Sequence, residues 1–386
     1  MTAKKRFLTA LKRQVPDRPP VTTHHLMQSF LTQKLNNMTI QEFFDHFQLD
    51  PINWVDANMV KSHSDESDNV KSEYNQFGDP LGFTTTHWQI NKSVLSSGKI
   101  ADSKYSFITP GKTLSMVLQS NIHTTWIVEP LIKEKKDIEI FEKYAPVPVC
   151  EVEKVNKEAE NFGNRGLIRG AIPGFDFFGQ PGCWQDAATL FGIEELIMET
   201  FNDPDWVHSF LKILLNRKKE FVLSASNANF DILELGGGSA STTVISPEIF
   251  DEFITPYDIE LIELAHRNNQ KIVYHICGGM MPILEMVAEM NPDAMETFTP
   301  PSLGGDSDLK EAKKRVGDKV CMIGGFDQSA YFVNCTPEET RKAVRKCFQD
   351  AGENGGYILA PSDHFFDADI ECLMAFSDEA RKCMYN

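Results

Sequence analysis

The segment KIVYHICGGM, residues 271–280, contains a short apolar run typical of a buried strand, and His275 and Cys277 lie at its end. Successive side chains of a strand point to opposite faces, so residues i and i+2 share a face and this imidazole and thiol should converge. Zinc accepts both groups as ligands. A free cysteine is also commonly a small buried hydrophobic residue, so the pair alone does not establish a metal site.

Eight apolar runs, separated by helical segments, predict the strands of the fold. They lie near Val21, Val55, Ile168, Leu233, Val273, Met295, Met322 and Leu359. Strands that alternate with helices in this number indicate a parallel sheet closed into a (β/α)8 TIM barrel, here a single domain over residues 1–386 with an N-terminal helical extension. An open doubly wound sheet is the alternative, but no GxGxxG follows an early strand, which disfavours its dinucleotide-binding version.

Two regions have predictions of their own. Residues 61–130 have polar stretches and Gly and Pro between extended pieces, which predicts an inserted set of antiparallel hairpins. Its aromatic residues could cap a pocket, although packing of the insertion on the main body is the favoured explanation. The stretch from Ile138 to Phe162 predicts one long helix.

Composition narrows the class of partner. The chain has 38 basic and 55 acidic residues and a formal charge of −17, which argues against nucleic acid and anionic membranes as partners. No apolar run is long enough to span a bilayer. The basic N-terminus has its apolar residues at helical spacing, not in the continuous core of a signal peptide, so we expect a cytoplasmic protein. Its eight cysteines form no regular framework and fit reduced thiols.

Polar side chains collect at the predicted strand ends, where barrel enzymes place their reacting groups. The set consists of His24, His25, Asp176, Glu234, His275, Cys277, Glu296, Asp327, Asp363 and His364. Each of them alone has a structural explanation, such as a loop cap at Asp327, because polar strand ends are common. Together they indicate a site.

Six segments then give the chain a resemblance to a known family. DRPPV, IRGAIPGFD, ISPEIFDEFITPY, HICGG, IGGFD and GGYILAPSDH resemble the uroporphyrinogen decarboxylase superfamily over nearly the whole length. The HxC pair resembles its zinc-binding branch, the methyltransferases that move methyl groups to or from cobalamin proteins. The resemblance implies zinc on His275, Cys277, Glu296 and Asp363, where Asp363 stands at a position that is usually cysteine in those enzymes.

The function expected from this resemblance is a zinc-dependent transfer of a methyl group between a small methylated substrate, an O-methyl compound, and cobalamin bound to a separate corrinoid protein. The chain itself lacks a DxHxxG cobalamin loop. His364 or His24 would protonate the departing oxygen. The predicted substrate-binding residues are His25, Asp176, Phe177, Phe178, Trp184, Glu234, Phe326 and Asp327.

Three questions stay open at this point. The direction of methyl transfer is undetermined. A decarboxylase-like lyase acting on a smaller acid is one alternative, although THHLMQSF, residues 23–30, lacks the arginines that bind porphyrinogen carboxylates in the decarboxylases. A relative that binds a corrinoid or another ligand without catalysis is the other alternative.

Overall fold

A computed structural model describes residues 1–60, 71–74, 80–175 and 180–385 of the chain. The predicted binding residues Asp176, Phe177 and Phe178 lie outside the described residues. The strands are, in chain order, β1 Ile52–Trp54, β2 Asn58–Val60, β3 Lys71–Tyr74, β4 Pro80–Thr84, β5 Gln89–Ser96, β6 Ala101–Ile108, β7 Thr113–Ser120, β8 Thr125–Glu129, β9 Pro148–Cys150, β10 Leu167–Ala171, β11 Ile232–Gly236, β12 Ile272–His275, β13 Ala294–Thr297, β14 Cys321–Gly324 and β15 Tyr357–Ile358.

The helices surround the central strands and alternate with them in the second half of the chain. They are α1 Ala3–Leu11, α2 Gln28–Lys34, α3 Ile40–Phe47, α4 Asp137–Tyr144, α5 Val152–Phe162, α6 Cys183–Phe191, α7 Ile193–Asn202, α8 Pro204–Ser224, α9 Pro247–Phe253, α10 Thr255–Arg267, α11 Leu284–Glu289, α12 Leu309–Val316, α13 Gln328–Phe332, α14 Pro337–Ala351 and α15 Ile370–Ala380. None of these helices combines the length and the apolar character that crossing a bilayer requires.

The central element is a curled sheet of seven parallel strands in the order β1-β10-β11-β12-β13-β14-β15, which gives the protein a TIM-barrel-like fold. The eighth predicted strand, near Val21, is reduced to a single parallel bridge to Leu359. Thr22 N donates to Leu359 O on one side, and Asp50 N donates to Val21 O on the other. Pro19 and Pro20 precede Val21 and have no N–H to donate, which explains why no longer strand forms.

The interior of the sheet begins with an apolar layer. The first inward-facing residue of each central strand belongs to it, namely Ile52, Leu167, Ile232, Val273, Ala294, Cys321 and Ile358. Helix α1 covers this layer with Phe7, Ala10 and Leu11. Its Arg6 donates hydrogen bonds to Asp17 and Asp50, and the Arg6 Nη1–Asp50 Oδ1 distance is 2.6 Å. Apolar side chains therefore fill the amino-terminal end of the sheet, and a functional site is expected at the carboxyl ends of the strands.

The inserted region consists of antiparallel strands. β5, β6, β7 and β8 form one sheet, while β3 and β4 form a separate hairpin. Trp88, Tyr105 and Phe107 are buried within the same cluster as the main core, and the Trp88 ring lies 6.0 Å from that of Phe141. These aromatic residues therefore pack the insertion on the body of the protein.

The prediction of one helix from Ile138 to Phe162 is wrong. Helix α4 ends at Tyr144, strand β9 follows, and α5 starts at Val152. Pro146 and Pro148 lie in the interruption. A proline removes a backbone donor and clashes with the preceding turn, so the helical periodicity on both sides cannot be continuous.

Candidate functional site

A charged layer lies two residues beyond the apolar layer. Its members are Trp54, Arg169, Glu234, His275 and Glu296, each following an apolar-layer residue at i+2. Their side chains therefore face the same interior. The four ionisable residues are at most 2% exposed. Buried charges must be paired or bind a cation, so their mutual contacts decide what the site can do.

Arg169 is at the centre of the charged layer, although it was not among the predicted site residues. Its Nη1 donates to Glu296 Oε2 at 2.8 Å, and its Nη2 donates to Glu234 Oε2 at 2.5 Å and also to Glu296 Oε1. The guanidinium stacks on the Trp54 ring at 4.3 Å. The signal in the sequence was a single arginine within the apolar run LIRGA, which requires a buried partner.

His275 uses one ring nitrogen within this layer. Its Nδ1 lies 2.9 Å from Glu296 Oε1, whereas its Nε2 is buried and has no hydrogen-bond partner among the described residues. Burial opposes the charged imidazolium, but attraction from Cys277 and Glu296 raises the pKa of His275 well above its usual value. The Nε2 atom is thus available as a ligand atom, and Cys277 is close enough to interact with the ring.

The predicted ligands His275, Cys277 and Asp363 come together. One potential ligand atom from each lies within 4.8 Å of those of the other two. Since Nδ1 of His275 contacts Glu296, Nε2 is the atom left for this group. Gln180 Nε2 donates to Cys277 Sγ at 3.4 Å. A Cβ on Gly238 would lie 2.6 Å from that sulfur, so only glycine leaves the thiol its space.

Asp363 and His364 form a pair beside this group. His364 Nδ1 lies 2.9 Å from Asp363 Oδ1. Burial opposes ionisation of Asp363, but the hydrogen bond from His364 and the nearby His275 hold the pKa of this carboxyl below its usual value. Asp363 is therefore a carboxylate at neutral pH, the form that binds a cation.

His24 and His25 lie next to the charged layer. The His24 ring stacks on that of His275 with centroids 5.2 Å apart, and His25 stacks on Trp54 at 4.1 Å. Burial lowers the pKa of His24 to about 3 and that of His25 well below its usual value. Both rings are therefore neutral near pH 7, and His24 is poorly suited to the acid role that the sequence suggested.

Glu296, predicted as the fourth metal ligand, does not join the group formed by His275, Cys277 and Asp363. Burial opposes its ionisation, but Arg169 holds the pKa of Glu296 well below its usual value. Its oxygens contact Arg169 and His275. Glu234, predicted to bind substrate, contacts the same arginine. Both carboxylates thus belong to the layer beneath the Cys277 group.

Three of the predicted substrate-binding residues make structural contacts in the protein. Trp184 is 1% exposed and donates from Nε1 to Ser239 O. Phe326 is fully buried against Phe376, with ring centroids 4.7 Å apart. Asp327 caps helix α13 and accepts a hydrogen bond from Ala330 N. Apolar or capping residues at strand ends look the same in sequence whether they line a pocket or fill a core.

The charged layer is tightly packed. A cavity beside Arg169, Glu296 and His24 holds about 10 Å³ of free space, which suffices for one water molecule. A substrate therefore has no room at the level of the charged layer.

Comparison with known proteins identifies the family. The sequence profile described as uroporphyrinogen decarboxylase (URO-D) matches residues 174–383. The chain belongs to the uroporphyrinogen decarboxylase family. This match includes β11 to β15 and with them the residues of the candidate site from Glu234 to His364.

Members of this family with different activities resemble the chain. A uroporphyrinogen decarboxylase of Neisseria meningitidis is 27% identical over 213 residues, which are 50% of this chain and 54% of the relative. A methylated-thiol–coenzyme M methyltransferase of Methanosarcina mazei is 25% identical over 166 residues, 42% of this chain and 41% of the relative. The chain thus aligns with about half the length of these relatives or less.

A solved structure resembles the protein over its full length. The methyltransferase from Methanosarcina mazei superposes with a TM-score of 0.63 and 14% identity, covering 99% of each chain. At this identity the likeness establishes the shared fold.

Proposed function

We propose that the protein is a zinc-dependent methyltransferase that moves a methyl group between a small O-methyl compound and the cobalamin of a separate corrinoid protein. The convergence of His275, Cys277 and Asp363 carries this proposal. A nitrogen, a sulfur and an oxygen donor suit zinc, and three protein ligands leave a position for substrate, as catalytic zinc sites require. The unpartnered, buried Nε2 of His275 supports the same site, because such an atom is costly unless it binds something.

The remaining residues would prepare this site. Glu296 accepts the hydrogen bond from Nδ1 of His275 and so directs Nε2 toward the other ligands, a common arrangement around zinc. Gly238 leaves space for the Cys277 sulfur. Zinc bound there would supply Lewis-acid polarisation of the heteroatom that carries the methyl group. We assign protonation of the departing oxygen to His364, which is next to Asp363 and partly exposed.

Metal analysis tests the site first. Protein purified without a polyhistidine tag should contain about one zinc per chain. Cys277→Ser should lower this content strongly, because the site loses its only sulfur. Cys335→Ser is the matched control, since Cys335 is also a partly exposed free thiol and lies outside the candidate site. Wild-type protein without stoichiometric metal would favour the metal-free, decarboxylase-like lyase.

Methyl transfer tests the reaction. The zinc-loaded protein is incubated with cob(I)alamin and a panel of O-, S- and N-methyl donors. It should produce methylcobalamin, which is detected by the change in the cobalt absorption bands. We expect the O-methyl compounds to react and His364→Gln to slow them. Stoichiometric zinc without turnover of any donor would support the non-catalytic relative instead.

A further inference from the structure

Glu296 is held at both of its oxygens on one side of His275. Oε1 accepts a hydrogen bond from His275 Nδ1 at 2.9 Å, and Oε2 accepts one from Arg169 Nη1 at 2.8 Å. Arg169 Nη2 also contacts Oε1. A guanidinium fork that engages both oxygens fixes the orientation of a carboxylate. Glu296 is thereby restrained at Nδ1, while Nε2 is the ring atom that the proposed metal would use.

The carboxylate of Glu296 could itself bind a metal, because it lies among other potential ligands. Potential ligand atoms of His24, Glu234, His275 and Glu296 all lie within 4.8 Å of one another. What this set has in addition is Arg169, whose Nη2 contacts both glutamates. Two buried carboxylates need a compensating cation, and the guanidinium provides it. Without Arg169, the cations left to these two carboxylates would be His275 and the metal.

We propose that Arg169 is a positioning residue that keeps Glu296 off the metal and so preserves an open coordination position for the substrate heteroatom. This inference rests on the proposed function, because it concerns the metal of that site. Catalytic zinc sites have three protein ligands and one exchangeable position, and a fourth protein ligand converts such a site into a closed structural one. Trp54 stacks on the guanidinium at 4.3 Å and helps to fix its plane.

Cobalt(II) substitution tests this proposal without measuring turnover. Cobalt reports its ligands through visible absorption, and 2-mercaptoethanol serves as the probe for the open position through its thiolate-to-cobalt band. Wild-type protein should bind the thiolate. Arg169→Met should weaken this binding about tenfold or more, because Glu296 then occupies the position. Adding Glu296→Gln to Arg169→Met should restore the affinity, since the competing carboxylate is gone.

Arg217→Met is the matched control. Arg217 is also a buried arginine, but it donates to the carbonyl oxygens of Ala145 and Pro146 and lies outside the candidate site, so thiolate affinity should stay at the wild-type value. If Arg169→Met does not fold, Arg169→Lys replaces it, because a single ammonium cannot engage both oxygens of Glu296 as a fork does. The pair Arg169→Lys and Arg169→Lys/Glu296→Gln then gives the same comparison.

The outcomes separate this inference from the proposed function. Wild-type protein that binds neither zinc nor cobalt would overturn both. Wild-type protein that binds metal and thiolate, with Arg169 variants of unchanged thiolate affinity, would overturn the role of Arg169 and leave the proposed metal site standing. Weakened affinity that Glu296→Gln does not restore would also overturn it, because the loss would then not come from Glu296.

Discussion

Replacing Arg169 by methionine should lower the free energy of unfolding by about 3–5 kcal/mol, the usual cost of removing one partner from a buried ion pair. The structure places this change at the upper end of that range. Arg169, Glu234 and Glu296 are each 2% exposed, and the guanidinium contacts both carboxylates. Removal of Arg169 takes the guanidinium from both carboxylates, leaves His275 as the remaining cation in contact with Glu296, and keeps both groups out of reach of water. Since domains are stable by only about 5–15 kcal/mol, the change should be readily measurable.

The assay is urea denaturation of metal-free protein at pH 7, followed by tryptophan fluorescence and circular dichroism, whose transitions should coincide if the free energies are to be compared. Arg169→Met/Glu234→Gln/Glu296→Gln removes the charges together and should recover most of the loss. Arg217→Met is the matched control. Arg217 is also buried, but it donates to the carbonyl oxygens of Ala145 and Pro146.

Loss of Arg217 leaves unsatisfied carbonyl groups, which cost about 1–3 kcal/mol, and not an uncompensated pair of carboxylates. A loss below about 1 kcal/mol for Arg169→Met would refute the reasoning, because the two glutamates would then be stable without their cation. Equal losses for Arg169→Met and the charge-free triple variant would refute it as well, since the cost would then come from packing alone.

Three further predictions follow from single contacts. Burial raises the pKa of Asp258 to about 6, although the hydrogen bond from Tyr274 acts in the opposite direction. The protonated carboxyl therefore stabilises the fold fully below about pH 4, and the free energy of unfolding falls by about 3 kcal/mol as the pH rises through 6. In urea unfolding, Asp258→Asn should lack this pH dependence, and an unchanged dependence would contradict the prediction. Gly238→Ala places a Cβ 2.6 Å from the Cys277 sulfur and should weaken zinc binding about tenfold, measured by chelator competition, whereas equal affinity would show that the thiol can move. Phe7→Ala removes a fully buried ring from the apolar layer under helix α1 and should lower the free energy of unfolding in urea by about 3–5 kcal/mol. A much smaller loss would show that the neighbouring side chains close the cavity.

Local pattern was sufficient for much of the fold. Seven of the eight predicted strands are present in one parallel sheet, because apolar runs between helical segments are a property of neighbouring residues. A capping box formed by Thr336 and Glu339, another local sequence pattern, starts helix α14. The exceptions, the bridge at Val21 and the interrupted helix after Ile138, both involve prolines, whose missing donor outweighs the periodicity around them.

The sequence by itself determined that His275 and Cys277 share one face, since the period of a strand is two residues. Only the tertiary structure decided what surrounds them. It pairs Glu296 with Arg169, 127 residues away along the chain, and brings Asp363 to the Cys277 sulfur. The physical reason is that a buried charge takes its partner from whichever strand lies beside it in the sheet, and strand order is set by the packing of the whole chain.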